Sequence, residues 1–402
     1  MKVLVLNSGS SSQKSALFEL GPESRESPVP ALWEGKLQWD GEREETHIRN
    51  GTGSEIRHDG KAGVHRASIA AMLENLWDGP TAVLRSRSEV AVIGHRIVHG
   101  GAKLTEPVRI TPEVKRAIDD VRAIAPLHND AGLQGIELTQ KLFGEVPQIA
   151  VFDTGFHRTL PPKAFVYPGP YRWYEQQGIR RFGFHGINHE YCTNRTAQLL
   201  NREASALIIV TCHLGNGCSL SAIQGGKSID TTMGFTPLEG LMMGTRSGSI
   251  DPGIFAHLVR TEHLNGDDLD RVLNHDSGLL GVSGRSSDMR DIVVAMRAGN
   301  DRAKLAFDIF IHRLTKEIGA MTASLGGLDA LVFTAGIGEN SPEVRQAACE
   351  KLGFLGVQLD EGKNSSEKPD VEISTFTSKI RVLVIRAQED WAIARECVRL
   401  NS

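Results

Sequence analysis

Cysteine is scarce in this chain of 402 residues: the five, Cys192, Cys212, Cys218, Cys349 and Cys397, are odd in number and form no C-x-x-C pair. A disulfide framework and a cysteine-built zinc site are thereby excluded, and a reducing cytoplasm is the expected setting. Long apolar runs are missing as well. The longest lies around Leu207 to Val210, far short of the roughly 20 residues that a membrane-crossing helix needs, and no signal-peptide core is present. Net positive charge is absent too: the balance is -4 with a pI near 6.4. Nucleic acid and anionic membranes are therefore not expected partners, and any bound anion must be held by locally placed cations.

Three familiar nucleotide and hydrolase signatures are also lacking. The nearest approach to a Walker A loop, Ser221 to Ser228 (SAIQGGKS), has serine in place of the first glycine and leads into no apolar helical pattern. Gly336-Ile337-Gly338 lacks the third glycine of a dinucleotide fingerprint, and no Gly-x-Ser-x-Gly elbow occurs. P-loop, dehydrogenase and α/β-hydrolase readings recede accordingly.

What is present begins at the start of the chain. The apolar run Val3-Leu4-Val5-Leu6 breaks into Asn7-Ser8-Gly9-Ser10-Ser11-Ser12-Gln13-Lys14 and resumes as Ala16-Leu17-Phe18. This is the pattern of a β-hairpin whose turn can crowd N–H groups, hydroxyls and the Lys14 charge against phosphate oxygens. Leu207 to Cys212, His213-Leu214-Gly215-Asn216-Gly217 and Cys218 to Ile223 repeat the pattern in the second half, which points to a duplicated domain. A third strand, Ala330 to Phe333, runs into Gly336-Ile337-Gly338-Glu339-Asn340, where glycines let backbone approach a flat ligand such as a purine and its ribose. Length and composition (40% hydrophobic, 23% charged) fit two globular α/β domains.

Helical periodicity is clearest in Asp301 to Leu325, with Ala306, Ile309, Phe310, Leu314, Ile318 and Met321 on one face. A second helix is expected from the Thr111-Pro112-Glu113 cap through Val121 and Ala125, stopped by Pro126. Gly21 to Pro30, Asp40 to Gly63 and Glu361 to Asp370 are polar and read as loops or edge elements.

Candidate chemistry gathers between the hairpins. Ala91 to Gly101 reads as a buried strand meeting a glycine pair, with Arg96 and Val98 on one face and His95, Ile97 and His99 on the other. A guanidinium beside a small apolar wall is a way to hold a short carboxylic acid, although an internal ion pair between Arg96 and an Asp or Glu stays open. The His95-x-x-x-His99 spacing falls on a strand with no completing ligand, so zinc is not expected. Ala125-Pro126-Leu127-His128-Asn129 places a histidine just past a helix end, and Val151-Phe152-Asp153 puts a carboxylate at a strand end, where α/β sheets form clefts. Arg180 to Gly186 and Met243 to Gly248 each set basic side chains among glycines.

These blocks carry a family resemblance. NSGSSSQK, GHRIVHGG, APLHN, VFDTGFH, RRFGFHG, CHLGNG, PLEGLMMGTRSG, GVSGRSSDMRD and FTAGIGEN follow one another as in the acetate kinase (acetokinase) family, from end to end of the chain. The resemblance implies the fold of the acetate and sugar kinase, heat-shock chaperone and actin superfamily: two related actin-like, ribonuclease-H-like α/β domains (a duplicated βββαβαβα core) with an ATP cleft between them. The expected domains are 1–153 with 388–402, and 154–387. It further implies a homodimer, ATP with Mg²⁺ (Mn²⁺ substituting), and reversible phosphorylation of acetate to acetyl phosphate, feeding acetyl-CoA metabolism.

By position, the resemblance gives Asp153, Arg246, His185 and His128 catalytic roles. It assigns Arg96 to the substrate carboxylate and Val98, Leu127, Phe184 and Pro237 to the methyl pocket. Lys14, His213, Leu214, Gly215, Asn216, Gly217, Asp288, Met289, Arg290, Gly336, Ile337, Gly338, Glu339 and Asn340 fall on nucleotide contacts, and Asn7 and Glu389 on the magnesium site. The chain departs from the family pattern at Gln13 (usually Leu), at Ser249 (usually Asp) and in Ala387-Gln388-Glu389-Asp390 (usually Thr-Asn-Glu-Glu).

The chemistry stands apart from the name. A carboxylic acid of pKa about 4 to 5 is already ionised at pH 7, so no base is required, and the obstacle is repulsion between carboxylate and phosphate. Cations placed where charge gathers answer it, with direct in-line transfer as the expected course. Asp153 is then expected to position Arg96 or magnesium-bound water, although the family usually labels it an acid/base. Three alternatives remain: a propionate or other short-chain acyl kinase, a sugar or glycerol kinase, and a non-enzymatic actin-like or chaperone-type ATPase module.

Overall fold

The computed structural model describes residues 1–9, 12–21, 27–122, 126–365 and 369–401, without the side chains of Asp40, Pro126, Leu127 and His128. The chain divides into two units, Met1–Gly155 with Gln388–Ser402, and Phe156–Ala387.

In the first unit the apolar runs form one eight-stranded sheet. Its strands are β1 (Lys2–Ser8), β2 (Ser12–Glu19), β3 (Trp33–Asp40), β4 (Arg43–Asn50), β5 (Glu55–Lys61), β6 (Val92–Ile97), β7 (Val108–Arg109) and β8 (Gln148–Phe152), in spatial order β5-β4-β3-β2-β1-β6-β8-β7. β1, β6 and β8 run parallel, while β1 to β5 form an antiparallel meander. β6 is buried on both faces, as a central parallel strand must be. Gly94 admits the Glu389–Asn401 helix on one face, since a Cβ there would stand 2.6 Å from Cys397 Sγ and 2.7 Å from Ile393 Cγ2. On the other face Gly132 and Gly135 of the Pro126–Phe143 helix approach Ile97 and His95. The polar stretch 40–63 contains the edge strand β5 and its neighbour β4, whose side chains are largely wet and therefore show no clean alternation.

Thr111 caps the helix Pro112–Asp120 by accepting from Val114 N–H. The helix stops earlier than its apolar spacing predicts, and Ala125 lies outside the described residues. Pro126 opens the next helix, Pro126–Phe143, instead of closing the previous one. Proline has no N–H to lose at a first helical turn, so it serves as a start signal there. His128 accordingly sits in the first turn of that helix, not past a helix end.

His95, on the helix-covered face of β6, is 2% exposed and bonds Gln148 Oε1 at 2.9 Å. Burial pulls its pKa down to about 4, against an opposing contribution from Gln148. Because the folded value lies below the unfolded value of about 6.5, His95 supports the fold fully above pH 6.5 and loses that support as pH falls toward 4. The loss should be on the order of 3 kcal/mol. Urea midpoints measured between pH 7.5 and 4.5 should fall more steeply in the parent protein than in His95→Gln.

The second unit repeats the plan. Strands β9 (Ile208–Leu214), β10 (Cys218–Gln224), β11 (Lys227–Thr231), β12 (Ala330–Thr334), β13 (Val371–Glu372) and β14 (Arg381–Val384) lie in the order β11-β10-β9-β12-β14-β13. β9, β12 and β14 are parallel, and β10 and β11 antiparallel. The succession β11-β10-β9-β12-β14 matches β3-β2-β1-β6-β8 strand for strand, the duplication that the echoed hairpins foretell. The helix Asp301–Leu325 starts at an Asn300 cap, ends at Gly326 in the left-handed region (φ +72°), and buries Ala306, Phe310, Leu314, Ile318 and Met321. The tip residues Ser10 and Ser11 of the first hairpin lie outside the described residues.

Candidate active site

Strand register builds the first cluster of polar groups. Lys14 on β2 stands opposite Asn7 on β1, and Asn7 stands beside Arg96 on β6. Asp153 follows β8, the next parallel strand. Lys14, Asn7, Arg96 and Asp153 thus form a row near the carboxyl ends of three parallel strands, where α/β sheets bind ligands. The first turn of the Glu389–Asn401 helix adds Glu389 and Asp390.

Arg96 Nη2 donates to Asp153 Oδ2 at 2.7 Å, with the two side chains 13% and 1% exposed, and Nη1 donates to Asn7 Oδ1 at 3.3 Å. The internal ion pair left open by the sequence is therefore present. Among the described residues Arg96 Nε has no hydrogen-bond partner although it is buried. Burial opposes the charge on Arg96, but Asp153, Glu389 and Asp390 outweigh it and hold its pKa above the ordinary value. Asn7 presents its Nδ2 to Asp390 Oδ1 at 2.8 Å and to Glu389 Oε2 at 3.3 Å, so it bridges the guanidinium and the carboxylates. Burial raises the Asp390 pKa, incompletely offset by Asn7 and Lys14.

Gln13, one departure from the family pattern, is buried and satisfied: Ser8 Oγ donates to its Oε1, and its Nε2 donates to Lys14 O and Ser15 Oγ. Val98 is buried at the end of β6. Leu127 and His128 have side chains outside the described residues.

The second unit builds its own cluster on the equivalent sheet. Ser219 on β10 and Thr334 on β12 flank His213 on β9 in register. The helix Gly186–Leu199 packs over this row and presents His185, Asn188 and His189 from its first turn. His185 takes a left-handed backbone (φ 56°) as it enters that helix, a conformation that costs a non-glycine residue and clusters at functional sites. Its ring stacks on His213, centroids 3.9 Å apart and planes 9° apart. A Cβ at Gly217 would stand 3.4 Å from His185 Nε2 and 3.5 Å from Arg246 Nη1, so both donors converge on the backbone of this turn.

Arg246 lies in a loop shaped by Gly240 (φ +105°) and Gly248 (φ +69°). Ser249 holds the loop closed: its Oγ accepts from Gly240 N–H and its own N–H donates to Gly240 O. Among the described residues Arg246 Nη1 donates to Pro237 O at 3.1 Å and Met243 Sδ at 3.9 Å. No carboxylate among the described residues pairs with it. Burial draws its pKa down, countered by Cys218. A largely buried guanidinium with no carboxylate beside it among the described residues is suited to an anion.

The other nucleotide candidates sit near by or pair locally. Gly244 N–H donates to Asn216 O, and Ser287 O lies 3.1 Å from a Cβ at Gly244. Asp288 caps the helix Met289–Arg297 and pairs with exposed Arg290 at 2.5 Å. Leu214 and Met289 are core side chains, so only their backbone is available to a ligand. Gly336, Ile337, Gly338, Glu339 and Asn340 form a short helix, Ala335–Asn340, entered through Ala335 at φ 65°. Glu339 Oε1 accepts from Ala387 N–H, and Arg345 Nη1 holds the carbonyls of Gly338 and Glu339 at 2.9 and 2.8 Å. Phe184 is buried, its carbonyl 3.0 Å from His157 Nε2.

Asp390, Asn188, His189 and Ser219 escape a reading of motifs. His189 stands one helical turn after His185, and Ser219 faces His213 across the hairpin, so both follow from spacing once the elements are known.

Two sheets of one topology, one unit carrying an arginine with a partly unspent guanidinium and the other an arginine, set among histidines, with which no described carboxylate pairs, define a two-domain kinase that manages anions. Residues 2–395 match the model of the acetokinase family. An acetate kinase of Cyanothece sp. is 56% identical over 402 residues, all of this chain and 98% of the relative. The crystal structure of Porphyromonas gingivalis acetate kinase superposes with a TM-score of 0.91 at 38% identity, covering all of both chains. That of a propionate kinase from Francisella tularensis gives 0.90 at 36% identity, covering 99% of each. The chain belongs to the acetokinase family, and its fold is the two-domain actin-like α/β fold.

Proposed function

We infer that this protein reversibly transfers the γ-phosphoryl group of ATP to acetate, giving acetyl phosphate and ADP. The observation that carries the chemistry is Arg246: a guanidinium largely out of water, paired with no carboxylate among the described residues and converging with His185 on the Gly217 turn. Such a group favours charge that gathers on a phosphoryl group during transfer. On the acceptor side Arg96 holds the acetate carboxylate, for which its Nε–H remains available. Asp153 fixes the guanidinium plane and takes no proton, because the nucleophile arrives already ionised. By family position His128 and His185 are assigned to the phosphoryl group, and Val98, Leu127, Phe184 and Pro237 to the substrate methyl. By family position the nucleotide contacts are Lys14, the His213–Gly217 turn, Asp288 to Arg290 and Gly336 to Asn340.

Mg²⁺ fits the donors present. Glu389 and Asp390 are oxygen donors suited to a hard cation, and a cation would offset the cost of burying Asp390. Among the described residues no three His, Cys, Asp or Glu side chains form a closed cage. Magnesium commonly keeps places for phosphate and water, and when bound it would neutralise charge on the β- and γ-phosphates. Asn7 holds the two carboxylates in place. Glu389→Ala should raise the Mg²⁺ concentration for half-maximal rate about tenfold or more; an unchanged requirement would remove Glu389 from this role. Mn²⁺ is expected to substitute.

Family membership also supports a homodimer in the cytoplasm, with no nucleic-acid or membrane partner. No described helix is long and apolar enough to cross a membrane. The test of function is hydroxylamine trapping of acyl phosphate from ATP, Mg²⁺ and acetate, propionate or butyrate. Acetate should give the highest turnover. Preference for propionate would reassign the acceptor, and ATP hydrolysis with no hydroxamate would favour an ATPase module.

A further inference from the structure

The stacked histidines are backed by a chain of buried hydroxyls and imidazole that the transfer reaction does not itself require. His185 Nδ1 lies 2.8 Å from Ser219 Oγ, Ser219 Oγ lies 2.8 Å from His189 Nε2, and His189 Nδ1 lies 2.6 Å from Thr211 Oγ1. Thr211, His189 and Ser219 are wholly buried. The sheet and helix explain the convergence. Thr211 and His213 share one face of β9, Ser219 pairs with His213 across the hairpin, and His185 and His189 are one turn apart on the helix above.

The direction of these bonds follows from counting protons. Among the described residues Thr211 Oγ1 has no other hydrogen-bond partner, so its proton is used only if it goes to His189 Nδ1. His189 is neutral, its pKa held well below 6.5 by burial and then by His157 and His213, so its single proton is on Nε2 and goes to Ser219 Oγ. The Ser219 hydroxyl then has one acceptor left, His185 Nδ1. A neutral His185 must therefore carry its proton on Nε2, the atom that faces the Gly217 turn together with Arg246. The companion ring obeys the same logic: Asn188 Nδ2 donates to His213 Nδ1 at 2.9 Å and to Thr334 Oγ1 at 3.3 Å. His213 Nε2 lies 3.8 Å from a Cβ at Gly215, on the same turn.

We propose that Thr211, His189 and Ser219 are positioning residues, a one-way hydrogen-bond relay that fixes His185 as the Nε2–H tautomer while Asn188 fixes His213 likewise, so that the stacked pair offers two aligned N–H donors to the transferring phosphoryl group. The inference rests on the phosphoryl-transfer reading for its purpose, but the tautomers themselves do not. Successive donors pointing one way polarise one another and strengthen the terminal N–H. A reversed relay would place a lone pair of His185 against phosphate and leave the Thr211 proton unspent.

The test uses the full-length protein labelled with ¹⁵N-histidine, without substrates, at pH 7.5. Long-range ¹H–¹⁵N spectra distinguish the two neutral tautomers and imidazolium, and His185→Gln identifies the resonance. The expected result is Nε2–H at His185 in the parent protein and a mixture of tautomers in Ser219→Ala. In hydroxamate kinetics Ser219→Ala should lower kcat about tenfold to a hundredfold, with KM for ATP and acetate changed less than about twofold, and Ser219→Thr should restore most of the rate. Thr211→Val should act in the same direction and more weakly, which serves if Ser219→Ala does not fold. An Nδ1–H or imidazolium His185 in the parent protein would overturn the proposal, as would a Ser219→Ala protein with unchanged kcat and spectrum. Absence of hydroxamate from the parent protein would instead reject the phosphoryl-transfer reading, while the spectra still decide the relay.

Discussion

Arg246→Ala should lower kcat for hydroxamate formation by about 10³-fold while leaving KM for ATP within about threefold. Among the described residues the guanidinium bonds a carbonyl and a thioether and no carboxylate, so its removal orphans no buried charge there, and the urea midpoint should barely move. What is lost is charge aimed at the transferring group, an interaction worth more in the transition state than in the nucleotide complex. Arg246→Lys should recover part of the rate at best, since an ammonium lacks the planar fork that matches phosphoryl oxygens. A loss confined to nucleotide affinity, with kcat intact, would move Arg246 from the reacting phosphate to ATP binding.

Arg96→Ala should have two separable effects. Asp153 is 1% exposed on its side chain and loses its 2.7 Å partner, so the fold should weaken by roughly 3 to 5 kcal/mol. The acetate carboxylate loses its cation, so KM for acetate should rise about thirtyfold or more. Adding Asp153→Asn removes the buried charge that Arg96 balanced: the double variant should regain much of the stability and none of the activity. Urea melts and hydroxamate kinetics on the parent, both single variants and the double variant separate the two effects. Unchanged KM for acetate in Arg96→Ala would mean that the ion pair is structural and that the carboxylate is held elsewhere.

How far the sequence could be read depended on whether a local pattern dictated the structure. The hairpins at Asn7 and His213 were legible because apolar strands flanking a glycine-rich turn leave few other folds, and their repetition gave the duplicated sheet. Arg96 and Asp153 were legible as residues on strand ends, but their ion pair was only one of two readings, since nothing local tells which carboxylate meets a guanidinium 57 positions away. Pro126 was misread because the same ring closes one helix and opens another. β4 and β5 were indistinct, as polar strands at the end of a sheet are when both faces stay wet. The His189–Ser219 relay was invisible for a different reason. Its members come from two strands and a helix, and each alone is an ordinary buried histidine or hydroxyl.

Charge decides the reaction: cations held out of water at fixed points offset the repulsion between a carboxylate and a phosphate. The most direct test is the rate of acyl phosphate formation by Arg246→Ala with guanidinium ion or urea added, two planar molecules of similar size that differ in charge. Saturable recovery with guanidinium and none with urea is the predicted result. Equal recovery by both, or full activity in the variant without either, would contradict it.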